Sequence, residues 1–268
     1  MTLPVGRTSL PELYERELVG PLFRPFAEAI VAELAPAPGE GILDIACGTG
    51  IVARLARAQV GPDARVVGVD LNPAMLEVAR RTDPGIEWRQ GDAGSLPVAE
   101  DERFGAVACH QGAQFFPDRA AAFREMHRAL TPGGRVAVGT WRPEGEFPFL
   151  LELRLVAERH VGPIADRRHS LGDAGELEAL LRAAGLEDVR VTRVSRLVRF
   201  PDPWPFVRMN AMALVGMSAS GPALGEAERG EAVEAVVRDS STLVAANSDA
   251  AGLAYELATN LATARRAT

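Results

Sequence analysis

The chain has 268 residues, 47% of them hydrophobic and 24% charged, which supplies a core, argues against wholesale disorder and allows one large domain or two small ones. A formal net charge of −7 argues against a dedicated nucleic-acid binder, whose footprint is basic. All 29 basic residues are arginine, which excludes lysine Schiff bases, a lysine general base and a Walker-type phosphate loop.

Residues 10–35 carry apolar side chains near helical spacing, and Pro21 and Pro25 must kink or split that segment. Ile42–Ile45 is a short apolar run, long enough for one buried strand, and Ile51–Arg57 reads as a helix. Between them lie Ala46, Cys47, Gly48, Thr49 and Gly50, a small-residue turn in which glycine brings the main chain close to a ligand. Residues 65–70 form a second strand, and Asn72-Pro73 opens a helix that carries Met75. Further strands are expected at 86–90, 104–109 and 135–141, with a helix at 118–130. This βαβ alternation predicts an α/β fold, a parallel sheet with helices on both faces. Beyond Trp141 the pattern loosens. Helices are expected at 147–160, 174–184 and 206–247, and strands at 189–200 and 258–264. Two cysteines, Cys47 and Cys109, are too few for a disulfide framework or a thiolate metal cluster, and no metal is expected. No signal-like or membrane-spanning run is visible, so the cytosol is the expected compartment.

Four polar sites fall at the carboxyl ends of successive strands, the edge where open α/β sheets bind ligands. They are Asp44 with its glycine turn, Asp70, Asp92-Ala93, and His110-Gln111. Asp70 is placed to accept both hydroxyls of a ribose. Asp92 can accept from an exocyclic amine, and the Ala93 amide can meet an adenine edge. A dinucleotide fingerprint wants a third glycine and a helix N-terminus facing pyrophosphate. Here that glycine is missing, and the Asp44 carboxylate repels phosphate and suits an ammonium or sulfonium. The pattern favours S-adenosylmethionine (SAM).

Residues 43–50 (LDIACGTG), 69–76 (VDLNPAML), 91–97 (GDAGSLP) and 123–134 resemble, in order, the cofactor motifs and the turn before the fifth strand of class I SAM-dependent methyltransferases. The similarity is to the ubiquinone/menaquinone-type small-molecule subgroup, strong over 40–142 and weaker beyond. It implies a Rossmann-like seven-stranded sheet whose last strand is antiparallel, within a single domain spanning 1–268. Residues 1–38 would form a helical cover and 201–247 a helical lid inserted before the last strand. The resemblance implies SAM as cofactor, held by Tyr14, Asp44, Ala46, Cys47, Gly48, Gly50, Asp70, Leu71, Met75, Asp92, Ala93, His110 and Gln111. The expected acceptor is a small aromatic or lipophilic molecule, methylated on O, N or C, with no nucleic-acid or membrane partner; a homodimer is left open.

Methyl transfer needs a base only when the nucleophile arrives protonated. His110 and His169 are the candidates. Phe115, Phe116 and Trp141 are candidates for the acceptor pocket, with Phe206, Met209, Met212 and Met217 as adaptable lid surface. Two alternatives stay open. One is a SAM-binding protein with a non-methylating or regulatory role. The other, disfavoured by Asp44 and the turn, is an NAD(P)-dependent oxidoreductase.

Overall fold

Each short apolar run becomes a strand and each amphipathic stretch a helix in a computed structural model that describes residues 9–268. The first eight residues of the expected 1–38 cover lie outside the described residues. The chain enters through α1 (Leu10–Tyr14), a π-helical stretch (Glu15–Phe23) and α2 (Arg24–Leu34). Pro21, which has no N–H to give, lies inside the π-helical stretch, where the backbone pattern is already disturbed. Pro25 falls in the first turn of α2, where that N–H would be unpaired anyway.

The alternating region follows as β1 (Ile42–Ile45), α3 (Ile51–Val60), β2 (Val66–Asp70), α4 (Pro73–Thr82), β3 (Glu87–Gln90), β4 (Phe104–His110), α5 (Arg119–Ala129) and β5 (Leu130–Trp141). Then come α6 (Pro148–Val161), α7 (Ala174–Ala183), β6 (Glu187–Phe200), α8 (Pro203–Met217), α9 (Glu226–Asp239), α10 (Ser241–Ala246), β7 (Ser248–Asp249) and β8 (Gly252–Arg265). The sheet order is β3-β2-β1-β4-β5-β8-β6, with β7 beside β8. Strands β1 to β5 pair in parallel, and β8 runs antiparallel to both β5 and β6.

The expected antiparallel last strand is therefore present and lies inside the sheet: Ala262 pairs with Val138 on one side and Val191 on the other. Three details differ from expectation. β7 adds an eighth strand of two residues. β5 starts at Leu130, because Leu130 pairs with Phe104 ahead of a register shift. The helical stretch 206–247 is three helices: Ser218 and Gly225 adopt extended backbone between α8 and α9, and the second break falls at Ser240 between α9 and α10. Pro203 opens α8, whose first turn is capped by Asp202 accepting from the Trp204 N–H at 3.1 Å.

Strand β1 sends Ile42 toward α2 and α3, and Leu43 and Ile45 toward α5. A further apolar cluster joins α6, α8 and α9 to the outer ends of β6 and β8. That cluster lies beyond the carboxyl edge of β5, so it forms one wall of the space above the strand ends. Among the described residues no helix is long and apolar enough to cross a membrane.

Candidate active site

The chain reverses its direction of travel through the sheet at β1, with β2 on one side and β4 on the other, and a crevice opens at such a switch point. The turn after β1 is held by the Cys47 N–H donating to the Val69 carbonyl (3.0 Å) and the Gly50 N–H to the Cys47 carbonyl (2.8 Å). Ala46 and Gly48 both have φ of +56°. A side chain built on Gly48 would meet no atom within 4 Å, so the turn faces open space there.

Asp44, 1% exposed, accepts from the Ala53 N–H through Oδ2 at 3.0 Å. It caps α3, while its Oδ1 has no partner. Burial pushes its pKa up to about 7; the Ala53 N–H and Arg54 act against the rise, and Asp70 adds to it. Asp70 accepts from the Gly48 N–H (2.7 Å) and the Asn72 N–H (2.8 Å), which locks the turn to the start of α4. Its pKa is also raised by burial, against those N–H groups. Asp92 is exposed and accepts from the Gly94 N–H at 2.6 Å. Ala93 is buried beside it, and Leu71, 64% exposed, stands on the rim.

One cavity of about 2870 Å³ gathers almost all of the expected site. Tyr14, Asp44, Ala46, Cys47, Gly48, Asp70, Leu71, Met75, Asp92, Ala93, His110, Gln111 and His169 all line it. Burial and the nearby Asp70 raise the Tyr14 phenol above its ordinary pKa. Gly50 is not among the residues that line the cavity. Its φ is +91°, and an added Cβ would come 2.2 Å from the Trp88 ring, so Gly50 shapes the turn and admits Trp88. Phe115, Phe116, Trp141, Phe206, Met209 and Met212 line the cavity, whereas Met217 packs into the apolar cluster behind it.

The two candidate histidines differ sharply. His110 Nε2 donates to the Phe23 carbonyl at 3.2 Å, and its Nδ1 is buried without a partner. Burial holds its pKa down at about 4. It anchors the π-helical stretch to the end of β4 and offers the cavity no open lone pair. His169 Nδ1 donates to the Arg142 carbonyl at 2.7 Å, which leaves Nε2 as the lone-pair nitrogen. Burial lowers its pKa too, so it is neutral near pH 7. Its loop is fastened to the 3-10 turn that follows β4 (Ala113–Phe115) by Ser170 Oγ donating to the Gln114 carbonyl (2.9 Å) and Arg167 Nη2 to the Phe115 carbonyl (3.2 Å).

Glu144, Asp166 and His169 approach within 4.8 Å of one another. Arg154 already pairs with Glu144 (2.7 Å), and Arg168 Nε with Asp166 (2.8 Å), so both carboxylates are neutralised. Gln114 was not singled out from the sequence. It is buried, lines the cavity, donates to Gln111 Oε1 at 3.2 Å and leaves its own Oε1 unpartnered. Gln111 in turn donates to Thr259 Oγ1 at 3.0 Å, which ties the site to β8. A polar residue between Ala113 and Phe115, in the turn after a strand, is the signal the sequence offers for Gln114.

A family model described as a methyltransferase domain matches residues 42–134. The nocamycin O-methyltransferase of Saccharothrix syringae is 32% identical over 221 residues, 74% of each chain. The arsenite methyltransferase of Halobacterium salinarum is 33% identical over 175 residues, 63% of this chain and 43% of that one. The chain thus spans less than half the length of some curated relatives it matches. Among solved structures, Haemonchus contortus phosphoethanolamine N-methyltransferase 2 with phosphomonomethylethanolamine and S-adenosylhomocysteine superposes with a TM-score of 0.58. The identity there is 18%, covering 96% of this chain and 57% of that one, a likeness of fold. The chain belongs to the class I SAM-dependent methyltransferases.

Proposed function

We propose that the chain binds SAM over the carboxyl ends of β1, β2 and β4 and transfers its methyl group to a small lipophilic acceptor. One observation carries the reading: a single cavity joins the acidic strand ends to an apolar chamber beneath α8 and the N-terminal helices. The residues present suit this cofactor. Asp44 Oδ1 and Gln114 Oε1 are buried acceptors without donors on residues that line the cavity, and an ammonium is a group that supplies donors. The open space at Gly48 suits close approach of a ligand to the main chain. Two carboxylates at this edge oppose a pyrophosphate, which argues against a dinucleotide.

Asp70 is assigned the ribose hydroxyls. Asp92 and the Ala93 N–H are assigned the adenine edge, with Leu71 and Met75 against the ring. Tyr14 and His110 hold the N-terminal helices over the site. SAM supplies an electrophilic methyl group on a sulfonium. The chain's own part is positioning and exclusion of water. His169 Nε2 is the group that takes a proton when the acceptor brings one. We read residues 9–38 and 201–247 as two covers that open for the acceptor, on one domain working in the cytosol without a nucleic-acid partner. Calorimetry with SAM and NAD, followed by tritiated-methyl transfer to phenols, amines and thiols, tests the reading. SAM should bind and NAD should not. Tight NAD binding, or SAM binding with no methyl transfer to any acceptor class, would overturn it.

A further inference from the structure

Gln114 is 1% exposed and lines the cavity, and its Oε1 has no hydrogen-bond partner. A glutamine amide offers donors at one end and an acceptor at the other, and the network around it decides which end is left over. Thr259 on β8, also 1% exposed, starts that network. Its Oγ1 lies 2.7 Å from the Thr140 carbonyl and 3.1 Å from the Asn260 carbonyl, and a carbonyl can only accept. The hydroxyl hydrogen is therefore spent, and Thr259 has a lone pair to offer Gln111. Gln111 must turn its Nε2 to Thr259, at 3.0 Å, which leaves its Oε1 toward Gln114. Gln114 must then donate through its own Nε2, at 3.2 Å. The end of the relay without a partner is an oxygen, Gln114 Oε1.

The relay is also fixed through its main chain. The Gln114 carbonyl accepts from Ser170 Oγ at 2.9 Å and from Arg119 Nη2 at 3.2 Å. Gln111 holds a φ of +56°, which a residue other than glycine adopts at a cost, and its N–H donates to the Gly139 carbonyl at 2.9 Å. The chain of bonds runs from the turn after β4, across the end of β5, to β8. Asp44, Asp70 and Asp92 follow β1, β2 and β3, on the other side of β4 in the sheet. The relay thus lies away from the acids assigned to the cofactor, and Ser170, next to His169 in sequence, is bonded to it.

Resting on the methyl-transfer reading above, we propose that Gln114 is a specificity-determining residue that accepts a hydrogen bond from an N–H or O–H group on the methyl acceptor. The amide cannot turn its Nε2 outward without breaking its bond to Gln111. A molecule whose only polar atoms are carbonyl or ether oxygens therefore sets lone pair against lone pair. It also leaves Oε1 buried and unpaired, a cost that falls on aprotic ligands alone. The favoured class is a protic nitrogen or oxygen compound such as an indole, an amide or an alcohol, and ketones, quinones and ethers are disfavoured. Thr259 is not among the residues that line the cavity; it is a positioning residue that acts through Gln111.

Indole, N-methylindole and benzofuran test this by equilibrium dialysis against the full-length protein, with and without saturating S-adenosylhomocysteine. Indole carries an N–H donor, and the other two keep the bicyclic frame without one. With S-adenosylhomocysteine bound, indole should bind about tenfold tighter than either, although both are more apolar. Gln114→Met removes Oε1 and keeps the length of the side chain, and the preference should vanish. Thr259→Val frees both amides to turn and should cut the preference severalfold, whereas Thr259→Ser keeps the hydroxyl and should keep the preference. Indole binding no tighter than the aprotic pair, a preference that survives Gln114→Met, or equal preference in Thr259→Val and the native protein would overturn the proposal. Affinity for S-adenosylhomocysteine is measured on the same proteins. If Gln114→Met loses that affinity and keeps the indole preference, Oε1 belongs to the cofactor and the proposal is overturned. A native protein that prefers indole but does not bind S-adenosylhomocysteine defeats the methyl-transfer reading alone. One that binds S-adenosylhomocysteine without preferring indole defeats the Gln114 proposal alone.

Discussion

The proposed placement of the SAM ammonium at the buried Asp44 makes cofactor binding a proton-linked event. Its carboxyl is raised from 3.8 to about 7 by burial, with Asp70 adding to the rise and the Ala53 N–H and Arg54 opposing it. A group whose pKa is raised on folding holds its proton more tightly in the native state. Its contribution to stability is full below the unfolded value and is lost as pH rises through the folded one. The rise of about three pH units, at about 1.36 kcal/mol each, makes the native state about 4 kcal/mol less stable above pH 7 than below pH 4 from this group alone.

An ammonium brought to the unpartnered Oδ1 reverses that preference and expels the proton. At about pH 6.5, roughly three-quarters of the chains carry the proton before binding, and at about pH 8 roughly a tenth. The ligand's own α-amino group titrates near 7.7–8.0 and is already charged at the lower pH. Calorimetry of SAM binding near pH 6.5, in buffers of differing ionisation enthalpy, should report release of about 0.75 proton. Affinity should weaken about eightfold between pH 6.5 and 5.5. Asp44→Asn, which keeps an oxygen for the Ala53 N–H, should abolish both effects. SAM binding at pH 6.5 with no buffer dependence in the native protein would refute the placement of the ammonium at Asp44.

Asp70→Ala leaves ribose hydroxyls unpaired and frees the Gly48 and Asn72 N–H groups; SAM affinity should fall about 30-fold, or about 2 kcal/mol, and unchanged calorimetric affinity would remove Asp70 from the site. Gly50→Ala places a methyl against Trp88 at a φ of +91°; it should cost about 2–4 kcal/mol, read as a lowered urea midpoint, and an unchanged midpoint would show that the turn relaxes freely. Phe206, 1% exposed and stacked on Phe200 at 4.0 Å, should lose about 3–5 kcal/mol of stability on change to alanine. Met212, 39% exposed on the cavity wall, should instead shift acceptor KM at nearly constant melting temperature; unaltered acceptor kinetics there would argue against the α8 cover. Truncation before Gly252 removes β8 from between β5 and β6, and a truncated chain that still melts cooperatively would contradict its place in the core.

Between residues 40 and 142 the sequence is readable because the determinants are local. An apolar run, a small-residue turn and an amphipathic stretch each settle their own conformation, and the acids at the strand ends fall on one edge once the strands are parallel. Asp44 shows where local reading stops. A carboxylate at a buried strand end suits both a helix cap and a ligand contact. Only the register of α3 shows that one oxygen takes the Ala53 N–H while the other is left over. Gly50 is governed in a similar way: the space beside it is filled by Trp88, on a strand two places away in the sheet.

The two histidines carry that argument furthest. In sequence, His110 and His169 stand as equal candidates, His110 at the end of a strand that reaches the site. Its chemistry is decided by the Phe23 carbonyl, 87 residues away, presented by a π-helical turn that no periodicity announces. That contact, together with burial, leaves a ring with one nitrogen engaged and the other enclosed. His169 stands in a loop with no strand to recommend it. Yet the Arg142 carbonyl fixes its tautomer, and Ser170 pins its loop to the turn after β4. The difference between an anchor and a base is therefore made by long-range backbone carbonyls, whose positions the fold determines and the neighbouring residue types do not.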